Sequence, residues 1–520
     1  MKAWLTAAIL IGAASPLAWA DTSLVDAARQ KDRATALALI KGGADVDAAA
    51  PDGTTPLHWA VVNDDVELVD RLLKARAKVD VRNDYGASPL SEAAITGNVA
   101  VLGRLIKAGA KANSTNADGQ TPLMVVARTS NVKAAELLLR HRTDVNAAEK
   151  LRGQTALMLA AANGQPEMMR LLVKHGADID ARSKVHDWER QVSGEPRAQY
   201  RPRGGLTPLL FAARQGCLRC VEVLVEAGAD IDMTDPEGIT PLLMAIDNIR
   251  FDVADYLIDH GASIDKWDWF GRTPLYSAVD MNTLPRGRRA DLPPLDKVTA
   301  VALIEKLLKA GADPNAPLKL RPQYRSLGDR GCDSMLTVGF TPLLRAAKAF
   351  DAEAIRLLLE HGAEVNRPQV IGITPVMAAA GLGSWDCDTR GNFVSQDVQQ
   401  RSIKALELLV KAGADVNARV RTKRGEFCCP VPDSAEAFAV ISGQSAVYGA
   451  AFWGWNDVVQ YLVDHGAQLD GTDAHGKTVL DAALGRAGGN GFQGRRIDVH
   501  EKTAALLKEL TSSKRVAQQN

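Results

Sequence analysis

The chain has 520 residues, 46% hydrophobic and 24% charged, which is enough apolar surface to bury a core and excludes a disordered chain. Its 62 basic and 62 acidic side chains cancel, so no overall charge draws it toward nucleic acid or an anionic membrane. Aromatics are only 5%, a mix that suits small helices packed closely side by side.

Residues 1–20 read as a cleaved signal peptide. Met1-Lys2 gives a positive start, an apolar stretch runs from Ala3 to Ala14, and Ala18-Trp19-Ala20 supplies the small-x-small pattern of a signal peptidase site. The stretch falls short of the ~20 residues that a membrane span requires, and no later segment is long and apolar enough. The alternative, a buried N-terminal helix, lacks any amphipathic pattern before Asp21. The expected mature chain therefore starts near Asp21, is exported to the periplasm or secreted, and is not inserted in a membrane. No Cys follows the cleavage site, so no lipid anchor is expected.

From there a tetrapeptide organises the chain. It appears as Thr55-Pro56-Leu57-His58, Ser88-Pro89-Leu90-Ser91, Thr121-Pro122-Leu123-Met124, Thr155-Ala156-Leu157-Met158 and Thr207-Pro208-Leu209-Leu210. It recurs at Thr240, Thr273, Thr341, Thr374, Ser445 and Thr478, with a spacing of 33 or 34 residues wherever no insertion intervenes. Thr or Ser is placed to cap a helix, and Pro occupies the first helical position, where a missing N–H costs nothing. Small residues follow where the next repeat must approach, such as Ala212-Ala213 and Ala346-Ala347. A second helix carries apolar residues at i, i+3 and i+4, as in Ile355, Leu358 and Leu359, and Gly362 ends it in the left-handed conformation. Arg76 and Arg142 stand where other repeats have this Gly, which strains those turns.

The period, the T-P-L-H-like start and endings such as Gly362-Ala363-Glu364-Val365-Asn366 resemble the ankyrin repeat. The resemblance covers almost the whole mature chain: a capping repeat over 21–50, an array over 51–477, a C-terminal cap over 478–510 and a tail over 511–520. It implies an all-α solenoid of paired antiparallel helices with short β-hairpin fingers. First helices and fingers would line a concave groove, and stability would come from neighbour-to-neighbour stacking.

Insertions interrupt the array near 182–205, 281–297, 317–338, 382–398 and 420–442. They read either as neutral loop drift, since long loops cost little stability, or as added surface around the groove. The first carries an excess of basic side chains that suits either a solvated loop or an acidic partner.

Cys332, Cys387, Cys428 and Cys429 all lie in insertions. In an oxidising compartment they are candidate disulfide staples, with at least one bond joining Cys332 or Cys387 to another insertion. Zinc is the alternative, weakened by poor ligand spacing. Cys220 is expected as a buried free thiol. Cys217 precedes it in a C-x-x-C at a helix start, a redox geometry found here without a thioredoxin-like fold. Gly489 to Gly494 matches G-x-G-x-x-G but lies between helices, and reads as a linker. No cofactor or metal is implied, and no catalytic motif appears.

The aromatics carry the binding expectation. Trp267, Trp269 and Phe270 occupy a finger. Trp59 and Phe211 lie on first helices where they should face the groove, and Trp453 and Trp455 cluster with Phe452 at a turn. Exposed aromatics are typical interface anchors; the alternative is packing against the chain's own insertions. The expected function is a monomeric exported scaffold that binds a protein partner and is not an enzyme. A secreted effector and a redox or metal accessory protein are the other readings.

Overall fold

A computed structural model describes residues 23–186, 203–283, 296–320, 338–384, 397–421, 441–486 and 499–519. The leader 1–20, most of each insertion, the Gly489–Gly494 segment and Cys332, Cys387, Cys428 and Cys429 lie outside the described residues. The chain divides into two compact units, with the boundary between Lys184 and Val185, inside the first insertion.

The first unit is a run of helix pairs: α1 (Leu24–Arg29) with α2 (Arg33–Lys41), α3 (Pro56–Val62) with α4 (Val66–Lys74), α5 (Pro89–Thr96) with α6 (Val99–Lys107), α7 (Pro122–Ala127) with α8 (Val132–Arg140), and α9 (Ala156–Ala162) with α10 (Pro166–Lys174). Each first helix packs on its own second helix and on the first helix of the next pair, so α3 touches α1, α4 and α5. Short, Ala-rich first helices allow this close stacking; Ala60, Ala93, Ala127 and Ala160 are fully buried.

The second unit opens with a two-stranded ladder at the base of the first insertion. β1 (Val185–His186) pairs antiparallel with β2 (Arg203–Gly204), Val185 opposite Gly204. The helices that follow are α11 (Pro208–Gln215), α12 (Leu218–Glu226), α13 (Pro241–Asp247), α14 (Phe251–Asp259), α15 (Pro274–Asn282), α16 (Ala300–Lys309), α17 (Pro342–Lys348), α18 (Ala352–Glu360), α19 (Pro375–Ala379) and α20 (Val398–Lys411). The unit ends with α21 (Ala446–Trp453), α22 (Asn456–Asp464), α23 (Val479–Ala483) and α24 (Glu501–Gln519). The same stacking holds, with α15 against α13, α16 and α17.

The caps follow the sequence pattern at most repeats. Thr207, Thr240, Thr273 and Thr341 each accept the N–H three residues on, at 3.1–3.2 Å, and Pro follows in each case. Thr155 caps without Pro, whereas Ser445 keeps the extended backbone of a cap but makes no side-chain cap bond. Arg76 and Arg142 do hold the left-handed conformation that their repeats demand, at φ 65° and 56°.

Successive fingers are tied by backbone hydrogen bonds. Lys150 N–H donates to the Asp118 carbonyl at 3.0 Å, Trp269 to Glu237 at 2.8 Å and Ala474 to Ser442 at 2.8 Å. Inside a finger a carboxylate closes the turn, as where Asp235 Oδ1 accepts from Glu237 and Ile239, both at 2.9 Å. The finger glycine is required by the neighbour as well as by φ. Gly271 has φ 83°, and a Cβ there would lie 2.7 Å from the Lys319 nitrogen.

Candidate protein-binding site

From Trp267 onward the run Lys266-Trp267-Asp268-Trp269-Phe270 alternates in exposure as it enters a turn at Trp269-Phe270. Trp267 and Trp269 are 51% and 58% exposed, while Asp268 and Phe270 are buried. The finger is held from beneath. Asp268 Oδ1 accepts from the N–H of Phe270 at 3.0 Å and of Arg272 at 2.9 Å, and its Oδ2 takes Arg272 Nε at 2.8 Å. Arg272 also reaches down to Asp247, donating from Nη1 and Nη2 to the two carboxylate oxygens at 3.2 and 3.0 Å. Burial alone would lower the Arg272 pKa, but the Asp247 and Asp268 carboxylates reverse this and raise it, so the guanidinium stays charged.

Above that base lies a recess of about 370 Å³ lined by Asp265, Trp267, Asp313, Pro317 and Lys319 among others. Lys319 Nζ stands 3.2 Å from the Trp267 ring centre, a cation–π contact that occupies one face of the indole. Asp265 Oδ1 accepts the Asp313 N–H at 3.1 Å, and Lys266 pairs with Asp232 at 3.6 Å. The surface thus combines two exposed indoles with charges of both signs on a backbone fixed by buried ion pairs. Lys319, Asp265 and Asp313 were not among the residues expected from sequence. Their signal was the matching Gly261-to-Asp265 and Gly311-to-Asn315 endings, separated by an insertion.

Phe270, Phe211 and Trp455, expected at a binding surface, are instead buried. Phe270 is only 2% exposed; Lys319 N–H donates to its carbonyl at 2.8 Å, so the next finger closes over it. Phe211 is 3% exposed, with the Arg214 guanidinium 5.1 Å from its ring centre. Close approach of the Ala-rich first helices encloses a ring at that position. Trp455 is 4% exposed and meets Phe350 edge-on at 5.8 Å. Trp453 stacks on Trp455 at 6.0 Å and donates Nε1–H to the Gly381 carbonyl at 3.0 Å. That cluster packs on its own chain. Trp59 is half-buried on α3, and its buried Nε1–H has no hydrogen-bond partner among the described residues.

Cys220 is not a free thiol: its sulfur is bonded to that of Cys217, with the Cα atoms 5.2 Å apart. Among the described residues no group of three or more His, Cys, Asp or Glu side chains could hold a metal ion, and no helix is long and apolar enough to cross a membrane.

A three-copy model of ankyrin repeats matches residues 24–116, 97–183 and 209–285, and a single ankyrin-repeat model matches 338–368. Among solved structures, the human ASB11 ankyrin repeat domain is similar at 23% identity and a TM-score of 0.38, over 46% of this chain and 98% of that one.

Proposed function

Because the chain belongs to the ankyrin-repeat family, we propose that it is an exported scaffold that binds a protein partner at the finger carrying Trp267 and Trp269. The observation that supports this is the pair of indoles, each more than half exposed, on a backbone anchored by the Arg272–Asp268–Asp247 ion pairs. Two exposed rings on a rigid support lose little entropy when covered, and Trp is the residue most enriched among binding hot spots. The finger works by binding, through its two indoles. Export rests on Lys2, the apolar stretch and the Ala18–Ala20 site.

The test is affinity capture from the native compartment with the mature chain and with the Trp267→Ala/Trp269→Ala variant. The variant is expected to melt within a few degrees of the parent and to lose the captured protein. Equal capture by the two chains refutes the site. N-terminal sequencing of protein from its native cells is expected to begin at Asp21; retention of Met1 refutes export.

A further inference from the structure

The turn between α11 and α12 holds two cysteines that the binding function leaves unused. Cys217 is the N-cap residue of α12, and Cys220 is the third residue of that nine-residue helix. Cys220 is fully buried, whereas Cys217 is partly exposed, so Cys217 is the more accessible of the two. A bond between residues already held in one helical turn closes a very short loop, where a staple adds least to stability. Structural bracing is therefore a weak account of this pair.

The position explains more. In sister repeats the same N-cap holds an oxygen that accepts the N–H three residues on: Asp65 from Leu68 at 3.0 Å, Asn131 from Ala134 at 3.1 Å and Asp351 from Ala354 at 3.1 Å. In α12 the Cys220 N–H points at Cys217 Sγ, 3.2 Å away. Once the bond is reduced, Cys217 occupies a place built for an anionic cap, and a thiolate there gains the helix N-terminus and this N–H. The surrounding charge agrees. The Arg250 side chain lies against Gly216, and its buried Nε has no hydrogen-bond partner among the described residues. Arg214 and Arg219 are exposed on either side of the turn. The acidic groups around the turn include Glu222 on α12 itself, Asp296, which interacts with Arg250, and Asp252 at the start of α14.

We propose that Cys217 and Cys220 form a thiol–disulfide exchange site that acts on disulfides or dithiols of other proteins. Cys217 is the entry sulfur and Cys220 the resolving one. The Cys217 thiolate attacks one sulfur of a substrate disulfide; that S–S bond breaks, and the departing thiolate takes a proton from water. Cys220 then gives up its proton to solvent and attacks Cys217 Sγ. The Cys217–Cys220 bond forms and the second substrate thiolate leaves. The chain loses two electrons and the substrate gains two. A dithiol protein reverses the sequence and restores the reduced pair.

The test uses the full mature chain and does not depend on partner capture. After reduction, the rate of Cys217 alkylation by iodoacetamide is followed by peptide mass spectrometry from about pH 5 to 10. Its midpoint is expected at least one pH unit below the ~8.5 of a free cysteine. Under oxidised glutathione, Cys220→Ser is expected to retain glutathione on Cys217, while Cys217→Ser reacts at least tenfold more slowly at Cys220. A midpoint at or above that of a free thiol overturns the proposal. So does a pair that stays oxidised in a thousandfold excess of reduced glutathione. If Cys220→Ser fails to fold, the unmutated chain's pH profile and glutathione titration still decide.

Discussion

Asn366 bridges to the next repeat through Gly413: its Nδ2 donates to the Gly413 carbonyl at 2.9 Å while its Oδ1 accepts the Asp415 N–H at 2.8 Å. Asn315 makes the same pair of bonds to Gly362 and Glu364, and Asn417 to Gly466 and Gln468. Each Asn therefore joins a helix end to the finger that leaves it. Where the position is Asp, only the acceptor half remains, as in Asp232 with Ser263 and Asp265 with Asp313. Asn366→Ala removes both bonds and is expected to cost about 1 kcal/mol, because the site is exposed and water competes. Asn366→Asp keeps one bond and should cost about half. Hydrogen exchange at the Asp415 amide checks this locally, which matters in a repeat array where one global midpoint can mislead. Equal protection in Asn366→Ala and the parent would show that the bridge carries no stability.

Gly449 is a helix-interior glycine in α21, and two effects compete there. Helix propensity alone favours Ala by about 1 kcal/mol. A Cβ, however, would lie 2.7 Å from the Ala380 carbonyl oxygen and 2.8 Å from Leu382 Cα. Both atoms are backbone, so they cannot swing aside as a side chain would. Overpacking of this kind costs about 1–3 kcal/mol, so the clash outweighs the propensity. Gly449→Ala is expected to lower the denaturation midpoint of the second unit; a rise would show that the backbone yields.

Much of this was legible because ankyrin-type architecture writes its local rules into each repeat. Thr207 before Pro208 announces a cap and a helix start, and Gly362 announces a left-handed helix end. Trp267, Trp269 and Phe270 stand together in the finger, so Phe270 reads from sequence as exposed with its neighbours. Its burial depends on Lys319, which follows an inter-helix insertion and a second helix before the next finger closes over it. Trp455 was misread for a related reason. It stands at an N-cap where sister repeats place Asp or Asn, but its ring fills space left by Gly381, which is far away in sequence. The C-x-x-C spacing of Cys217 and Cys220 was legible, but Cys220 reads from sequence as a free thiol, and the bond and its resemblance to an anionic cap emerge only from the structure.

His58 gives the first unit a pH dependence. Its Nδ1 accepts from the Thr55 N–H at 3.2 Å, which leaves Nε2 to donate to the Ala87 carbonyl at 3.1 Å. That arrangement needs the neutral ring. Burial holds its pKa below the ordinary 6.5, against the pull of the Ala87 carbonyl. With a folded pKa below the unfolded one, the unfolded chain binds the proton first as pH falls. The contribution is therefore complete above about pH 6.5 and is lost as pH drops through the unfolded value toward the folded one. His58→Ala is expected to be less stable at pH 7.5, with the gap to the parent narrowing by about pH 5. Denaturant midpoints of both chains at the two pH values measure it. A gap independent of pH would mean that the ring does not titrate in this window.

Asp268 is the residue on which the finger and the buried charges both depend. It closes the turn through Phe270 and Arg272 N–H groups and neutralises the Arg272 guanidinium, whose side chain is 7% exposed. Removing the carboxylate leaves Arg272 with Asp247 as its remaining bonded carboxylate and deprives two amides of their acceptor. Breaking one partner of a buried pair typically costs about 3–5 kcal/mol, far above the ~0.5 kcal/mol of an ordinary surface change. Asp268→Ala is therefore expected to destabilise the second unit severely and to abolish capture through Trp267 and Trp269. Replacing the cation as well leaves the buried Asp247 carboxylate without its Arg272 partner, so Asp268→Ala with Arg272→Met should recover none of the lost stability. The two changes are non-additive, as expected of residues that share one network. Capture should not return in the double variant, since the turn still lacks the oxygen that holds the Phe270 and Arg272 amides. Strict additivity of the two substitutions in denaturant unfolding would show that the ion pair contributes nothing, and restored capture would show that the finger keeps its shape without Asp268.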